Sequence, residues 1–565
     1  MTFSRRDVLK MGAVGAAAVA LPLERIAHTR GGVDRMRTRD MPRPFSLPFV
    51  RPPELAPSGS IDVDCYDGLK RPYTRYDIAQ TFTVAEIIPG YKTPVFGYNG
   101  LVPGPTIRTR HDEAITVNQL NLLHRPPASP YQNSRMPSAY TSDPMKRSTS
   151  THLHGSASLP QFDGYASDVT MPGQMKQYFY PNCQEARTLW YHDHGVHHTS
   201  QNAYNGLAGM YILHDDHERA LGLPQGGPYD VPVVIKDAAF DTRGGLIYDD
   251  NSESGVFGNA ILVNGVPWPE MTVERRKYRF RFLNASISRS FKWYLTDGRS
   301  RVPMTVIGTD AGLMPQPQVV SEFLQGMAER YEVVIDFAQY PDNTRLTLMN
   351  DSPPNNRDDD FTDRAMRFKV LGDASSTANN QIHPEWGAIL PPTECMTWTE
   401  ADLLAQGVPV REFDFERSNG KWTINGTTWE DVVNSDYDFC LAEPEADSIE
   451  IWDLKNFSGG WFHPVHIHLV DFQILSRNGS AANVRSYEKG PKDVAYVGEE
   501  ETVRVAMRFS GPPAGEGWPA PKGRYMMHCH NLVHEDHDMM MQFSVGDPDH
   551  DPAFDPIGAA RPVSL

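Results

Sequence analysis

Positive charge is scarce in this chain relative to negative charge. Lys and Arg number 53 against 71 Asp and Glu, a formal net charge of −18 at pH 7. Phosphate recognition needs a basic surface, so nucleic acid is not an expected partner, and the acidic surplus reads mostly as solvated surface. Long apolar runs are also missing. The run from about Met11 to Leu23 is too short to cross a bilayer as a helix, and no later segment is long enough. Membrane insertion of the mature chain is therefore not expected. Cysteine is sparse and odd in number, with five residues at Cys65, Cys183, Cys395, Cys440 and Cys529. Cys529 lies between two histidines. The other four allow at most two disulfides, in a pairing that sequence does not fix.

Length, proline and histidine are what the chain does have. Its 565 residues exceed one hydrophobic core and suggest about three or four domains. Its 46 prolines suit turns and edge strands more than long helices. The N-terminus reads Ser4-Arg5-Arg6-Asp7-Val8-Leu9-Lys10, then a small-residue apolar run containing Ala18-Val19-Ala20. Paired arginines before a short apolar stretch form a twin-arginine signal peptide, which carries folded proteins out of the cytoplasm. The expected destination is periplasmic or extracellular. Residues 24–59, rich in Arg and Pro, read as a leader and an extended arm.

Beyond that arm, short apolar runs alternate with turn residues. Tyr278-Arg279-Phe280-Arg281-Phe282 is a strict period-2 strand, apolar on one face and basic on the other. Many such strands argue for an all-β chain of sandwiches or barrels. Asn-Gly pairs at Asn99-Gly100, Asn264-Gly265 and Asn425-Gly426 recur at a spacing of roughly 160 residues, which suggests three related units. The same pair at Asn205, Asn419 and Asn478 breaks that spacing.

Four histidine clusters carry the chemistry: His152-Leu153-His154-Gly155, Trp190-Tyr191-His192-Asp193-His194, His463-Pro464-Val465-His466-Ile467-His468, and His528-Cys529-His530 with His534 and Met539 beyond it. Each contains His-x-His. On a strand, residues i and i+2 share a face, so each pair aims two imidazoles the same way. Four pairs give enough imidazoles to hold three metal ions. The Cys529 side chain points away from its neighbours, so one strand can serve two sites. On that side His534 and His463 could supply two imidazoles and Met539 a thioether, and two His, one Cys and a weak axial Met make a blue-copper electron-transfer site. A single His-x-His is common by chance, and two pairs would suit zinc, but a structural zinc needs no such array. His197, His198 and His537 are expected near ligands or at the surface, and His214 and His217 at the surface.

These motifs, in this order, resemble the multicopper oxidases. Within that family the likeness is strongest to bilirubin oxidases, on Thr188–His194, Ser458–Phe472, His528–Met540 and Lys277–Leu283, and it covers the chain from about residue 45. Spore-coat laccases share the framework. The resemblance implies three cupredoxin-like Greek-key domains at 46–220, 221–380 and 381–550, after a signal and arm at 1–45 and before a tail at 551–565. It implies four copper ions. His463, Cys529, His534 and axial Met539 would hold the type 1 copper, and His152 with His466 the type 2 copper. His154, His192 and His530 would hold one type 3 copper, and His194, His468 and His528 the other. Cys529 would carry electrons, while Glu535 and Asp163 would deliver protons. Trp461 fits either a substrate surface or core packing.

The expected activity is one-electron oxidation of organic substrates such as bilirubin, phenols or aromatic amines, coupled to reduction of dioxygen to water by a monomer. A laccase of broad phenol specificity is the near alternative. A ferrous or cuprous oxidase is disfavoured, because no Met-rich insert is present. An electron carrier would not need the eight further histidines.

Overall fold

The computed structural model describes residues 34–124, 144–354, 356–390, 393–509, 519–546, 555–557 and 562–565. The expected signal peptide lies outside them. Residues 35–565 form one compact unit. Strands dominate, and the longest helix among the described residues, Thr199–Asn205, has only 7 residues.

Among the described residues there are six sheets, two built mainly from each of three successive stretches of chain. One sheet in each stretch follows a common plan. In the first, Lys70–Ala85 pairs antiparallel with Thr93–Tyr98 and parallel with Ile115–Leu122, which pairs antiparallel with Gln174–Tyr180. In the second, Asp230–Ala238 has the same relations to Ala260–Val263, Lys277–Asn284 and then Arg330–Asp336. In the third, Val410–Ser418 has them to Lys421–Ile424, Ile449–Asn456 and then Thr502–Arg508.

The Asn-Gly turns belong to this plan. Asn99, Asn264 and Asn425 have φ of 53°, 50° and 53°, and the glycines after them 76°, 81° and 73°. Positive φ at both central residues is the two-residue hairpin geometry that favours Asn-Gly. Each asparagine also reaches back to the first strand of its sheet. Its Oδ1 accepts the N–H of Ala79, Val234 or Asp414 at 2.8, 2.8 and 2.6 Å. The spacing seen in the sequence thus marks one bonding pattern used three times.

The second sheet of each stretch closes the core. In the middle stretch, Phe280 and Phe282 pack with Trp293, Leu348 and Phe368 in one buried cluster. In the first, Tyr178 and Val117 meet Leu153, Leu189 and Tyr211. The second sheets of the first and third stretches carry the histidines. A late segment, Val563–Ser564, adds an edge strand beside Gln174–Tyr180.

The strand Lys277–Asn284 alternates as its sequence predicts, but its basic face is not turned to water. Arg279 and Arg281 are fully buried. Arg281 pairs with Asp230 at 2.7 Å and Glu332 at 2.7 Å, and Arg279 with Glu218 at 2.6 Å. Burial of guanidinium groups is tolerable only with such partners. His214 was expected at the surface and is instead only 20% exposed, held by Glu218 at 2.5 Å. His217 is exposed, as expected. Thr188 joins this network to the first stretch, donating to Glu332 at 2.7 Å and accepting from Arg281 at 3.0 Å. Replacing Arg281 by Met leaves buried Asp230 with Arg108 and buried Glu332 with Arg279, each short of one guanidinium partner. The expected cost is about 3–5 kcal/mol, read by calorimetry as a lowered unfolding midpoint, and an unchanged midpoint would deny the network its structural role.

Candidate metal centre

The ligand strands meet in register. His152 on Thr151–His154 lies opposite His192 on Arg187–Asp193. His466 on His463–Ile467 lies opposite His528 on Gly523–Cys529. Each pair of adjacent strands therefore presents a block of imidazoles, and the two blocks face one another. His152, His154, His192, His194, His463, His466, His468, His528, Cys529, His530, His534 and Met539 are all at most 1% exposed.

Donor atoms fall into groups whose members lie within 4.8 Å of one another: His152 with His154 and His466, His154 with His192 and His530, His194 with His468 and His528, and His463 with Cys529 and His534. The first three groups each combine residues from the first and last stretches. The middle stretch supplies no member to any group among the described residues. Nε2 of His528 lies 3.2 Å from Nε2 of both His194 and His468, and Nε2 of His152 lies 3.4 Å from Nε2 of His466.

The far nitrogens are held by oxygen. Nδ1 of His468 donates to Asp163 Oδ2 at 2.7 Å, and Nδ1 of His152 to the Asp163 carbonyl. Nδ1 of His528 lies 2.9 Å from one oxygen of Glu535, and Nδ1 of His194 lies 3.6 Å from the other. Nδ1 of His466 donates to the Asp493 carbonyl at 2.8 Å, and Nδ1 of His192 to the Asp193 carbonyl at 2.8 Å. A proton held on one ring nitrogen leaves the lone pair on the other, and that choice aims a ligand.

On the opposite face of the Gly523–Cys529 strand, Cys529 Sγ lies 3.3 Å from His463 Nδ1 and 3.7 Å from His534 Nδ1. The Met539 carbonyl accepts the Cys529 N–H at 3.1 Å, which seats the buried methionine beside the cysteine. Outer contacts again fix the rings. Ser458 Oγ lies 2.6 Å from His463 Nε2, and His534 Nε2 donates to the Ser254 carbonyl at 3.2 Å. The Trp422 ring stacks on His534 at a centroid distance of 3.7 Å. Trp461, half-buried, stands edge-on to Trp422 at 5.8 Å.

These atoms suit a bound metal and suit little else. Nδ1 of His154, Nε2 of His192 and both ring nitrogens of His530 are buried with no hydrogen-bond partner. Buried polar atoms left in this way cost free energy, and lone pairs aimed at one another add to it. Burial pulls the imidazole pKa down, to about 3 for His192 and His463 and about 4 for His194. The rings therefore stay neutral, as metal ligation requires. Burial pushes the Cys529 thiol up, so a metal must draw off its proton on binding. Two imidazoles, a thiolate and a thioether are the donors of blue copper, and an all-imidazole array also suits copper.

His197, His198 and His537 join none of the groups. The exposed His197 donates to the Asp536 carbonyl at 3.0 Å, and His537 to that of Val533 at 2.7 Å. Cys65, Cys395 and Cys440 stand as thiols, so no disulfide links them. Sequence reasoning missed Asp493, Ser254, Ser458 and Trp422. Asp493 precedes the strand Val494–Val497 that pairs with His463–Ile467, and no motif marks it.

Two stretches match the family description "Multicopper oxidase", residues 141–218 and 410–549. Residues 2–22 match the twin-arginine translocation signal. Bilirubin oxidase from Albifimbria verrucaria is 38% identical over 515 residues, spanning 89% of this chain and 80% of the relative. Laccase from Bacillus subtilis is 32% identical over 493 residues, spanning 81% and 91%. The solved structure of McoA multicopper oxidase from Aquifex aeolicus matches with a TM-score of 0.70 at 29% identity, covering 88% of this chain and 100% of the other. Replacing Cys529 by Ser removes the only sulfur anion from its group. Visible spectroscopy of the copper-loaded variant should show complete loss of blue absorption, and a variant that stays blue would place that chromophore elsewhere.

Proposed function

The chain belongs to the multicopper oxidases, and from that premise we propose that it oxidises aromatic organic molecules one electron at a time and reduces dioxygen to water. The observation that carries this reading is the complete donor set, with the cysteine group and the imidazole array on opposite faces of one strand. In the proposed assignment His463, Cys529, His534 and Met539 hold a type 1 copper, and His152 with His466 a type 2 copper. His154, His192 and His530 hold one type 3 copper, and His194, His468 and His528 the other. Bound there, the four copper ions would accept single electrons from the reductant and supply four to dioxygen.

The chain's own residues set position, path and protons. Cys529 is joined through one peptide unit on each side to His528 and His530, a short covalent path between the two faces. Asp163 touches His468 and His152, and Glu535 touches His528 and His194. Burial pushes the Asp163 carboxyl well above the usual carboxylate range. Burial also raises Glu535, but His528 and His194 more than offset this and hold it at about 2. Two carboxyl groups pushed in opposite directions beside the same imidazoles are the pair we assign to proton delivery.

At the other end, the half-buried Trp461 ring beside His534, with Phe457 59% exposed nearby in sequence, offers aromatic surface to an aromatic reductant, while the fully buried Trp422 backs His534 from within. Glu253 is tied to Arg417 at 3.1 Å, so it is not set out as a ligand for ferrous or cuprous ions. A twin-arginine signal directs export. We propose that a monomer then works in the periplasm or outside the cell.

Oxygen uptake by the copper-loaded protein, with bilirubin, a simple phenol and ferrous iron side by side, tests the substrate class. Uptake with the organic molecules and little with iron is expected, and uptake with iron alone would overturn it. Asp163→Asn, with copper content unchanged, should lower kcat by roughly 10²-fold or more. Full turnover in that variant would remove Asp163 from proton delivery.

A further inference from the structure

Among the described residues the middle stretch supplies no member of the donor groups, yet one of its arginines reaches them. Arg330 is fully buried. Its guanidinium spends all five N–H donors. Nε donates to the Thr188 carbonyl at 2.9 Å, Nη1 to the Ala328 carbonyl at 3.1 Å, and Nη2 to the Asp310 carbonyl at 2.8 Å. The remaining two grip Asp493, Nη1 on Oδ1 at 2.7 Å and Nη2 on Oδ2. A planar fork of this kind fixes a carboxylate in orientation as well as position.

Asp493 in turn touches two expected ligands. Its Oδ1 accepts from His154 Nε2 at 3.1 Å, and its backbone carbonyl accepts from His466 Nδ1 at 2.8 Å. His154 is thereby left with its lone pair on Nδ1, the atom that is buried without a partner. His466 is left with its lone pair on Nε2. The two rings stack at a centroid distance of 3.7 Å with 14° between planes. Asp310, also from the middle stretch, holds the segment from below, accepting the N–H of Val494 at 3.2 Å and pairing with Lys492 at 2.8 Å.

A second observation shows how tightly the pair is fitted. Gly155, next to His154, has φ of +88°, and a Cβ there would lie 2.6 Å from Asp493 Oδ2 and 2.7 Å from Arg330 Nη2. Only glycine lets the ion pair sit against the ligand strand.

We propose that Arg330 and Asp493 are a positioning pair through which the middle stretch sets the tautomer and orientation of His154 and His466. This rests on the copper assignment above. His154 comes from the first stretch and His466 from the last, so the pair aligns the two halves of the array.

The test uses the copper-loaded full chain with Arg330→Met, Arg330→Lys and Gly155→Ala. Copper retention against a chelator, electron paramagnetic resonance of the type 2 signal, and blue absorption from the Cys529 group are measured together. Blue absorption reports a folded third stretch independently of the array. The expected result is wild-type blue absorption, an altered or lost type 2 signal, and copper held about 10–100-fold more weakly. Lys should not rescue, because it lacks the fork. A wild-type signal and retention in Arg330→Met would overturn the proposal. If that variant loses blue absorption as well, Gly155→Ala decides: a changed type 2 signal with blue intact supports the pair, and no change overturns it. Failure of the wild-type protein to show both copper signals would instead overturn the copper assignment itself.

Discussion

Neutral imidazoles crowded into a dry interior, with lone pairs turned toward each other, are a conflict that only a cation resolves. The Nε2 atoms of His194 and His468 each lie 3.2 Å from that of His528. Water cannot solvate them, since every ring is at most 1% exposed. Protonation would satisfy them but is opposed by the same burial. The rest of the centre follows from that constraint. Carbonyls and carboxylates stand at the outer nitrogens of the other rings, though not of His530, so that the inner ones converge, and the strands stay in register to hold them there.

The middle stretch looks idle by ligand count and is not. Its buried guanidinium groups do two jobs. Arg279 and Arg281 bind Glu218, Asp230 and Glu332 in a network that includes Thr188. Arg330 takes the Thr188 carbonyl and the Asp493 carboxylate. Both networks bear on the strand Arg187–Asp193, which carries His192. Charge buried at such cost is better explained by the geometry it enforces than by net stability.

Much of the centre was legible because strand periodicity is simple. His-x-His fixes a shared face, His-Cys-His fixes opposite faces, and neither needs a tertiary contact to be read. The Asn-Gly spacing was legible only as a count; its meaning lay in the asparagine bonds to Ala79, Val234 and Asp414, which join residues about 11–30 positions apart. Asp493 and Arg330 were not legible at all. They are separated by 163 residues, and nothing local distinguishes an aspartate that orients two ligands from one in a turn. The basic face of Lys277–Asn284 was visible, but its burial was not, because the carboxylates that permit it come from three other segments. His214 was misplaced for the same reason.

Each imidazole group unites residues before position 195 with residues after position 465. A nascent chain on the ribosome therefore cannot own this metal centre until His530 has emerged from the exit tunnel. His152, His154, His192 and His194 are all made before any of their partners from the last stretch exist. Completion of the array thus reports completion of nearly the whole polypeptide.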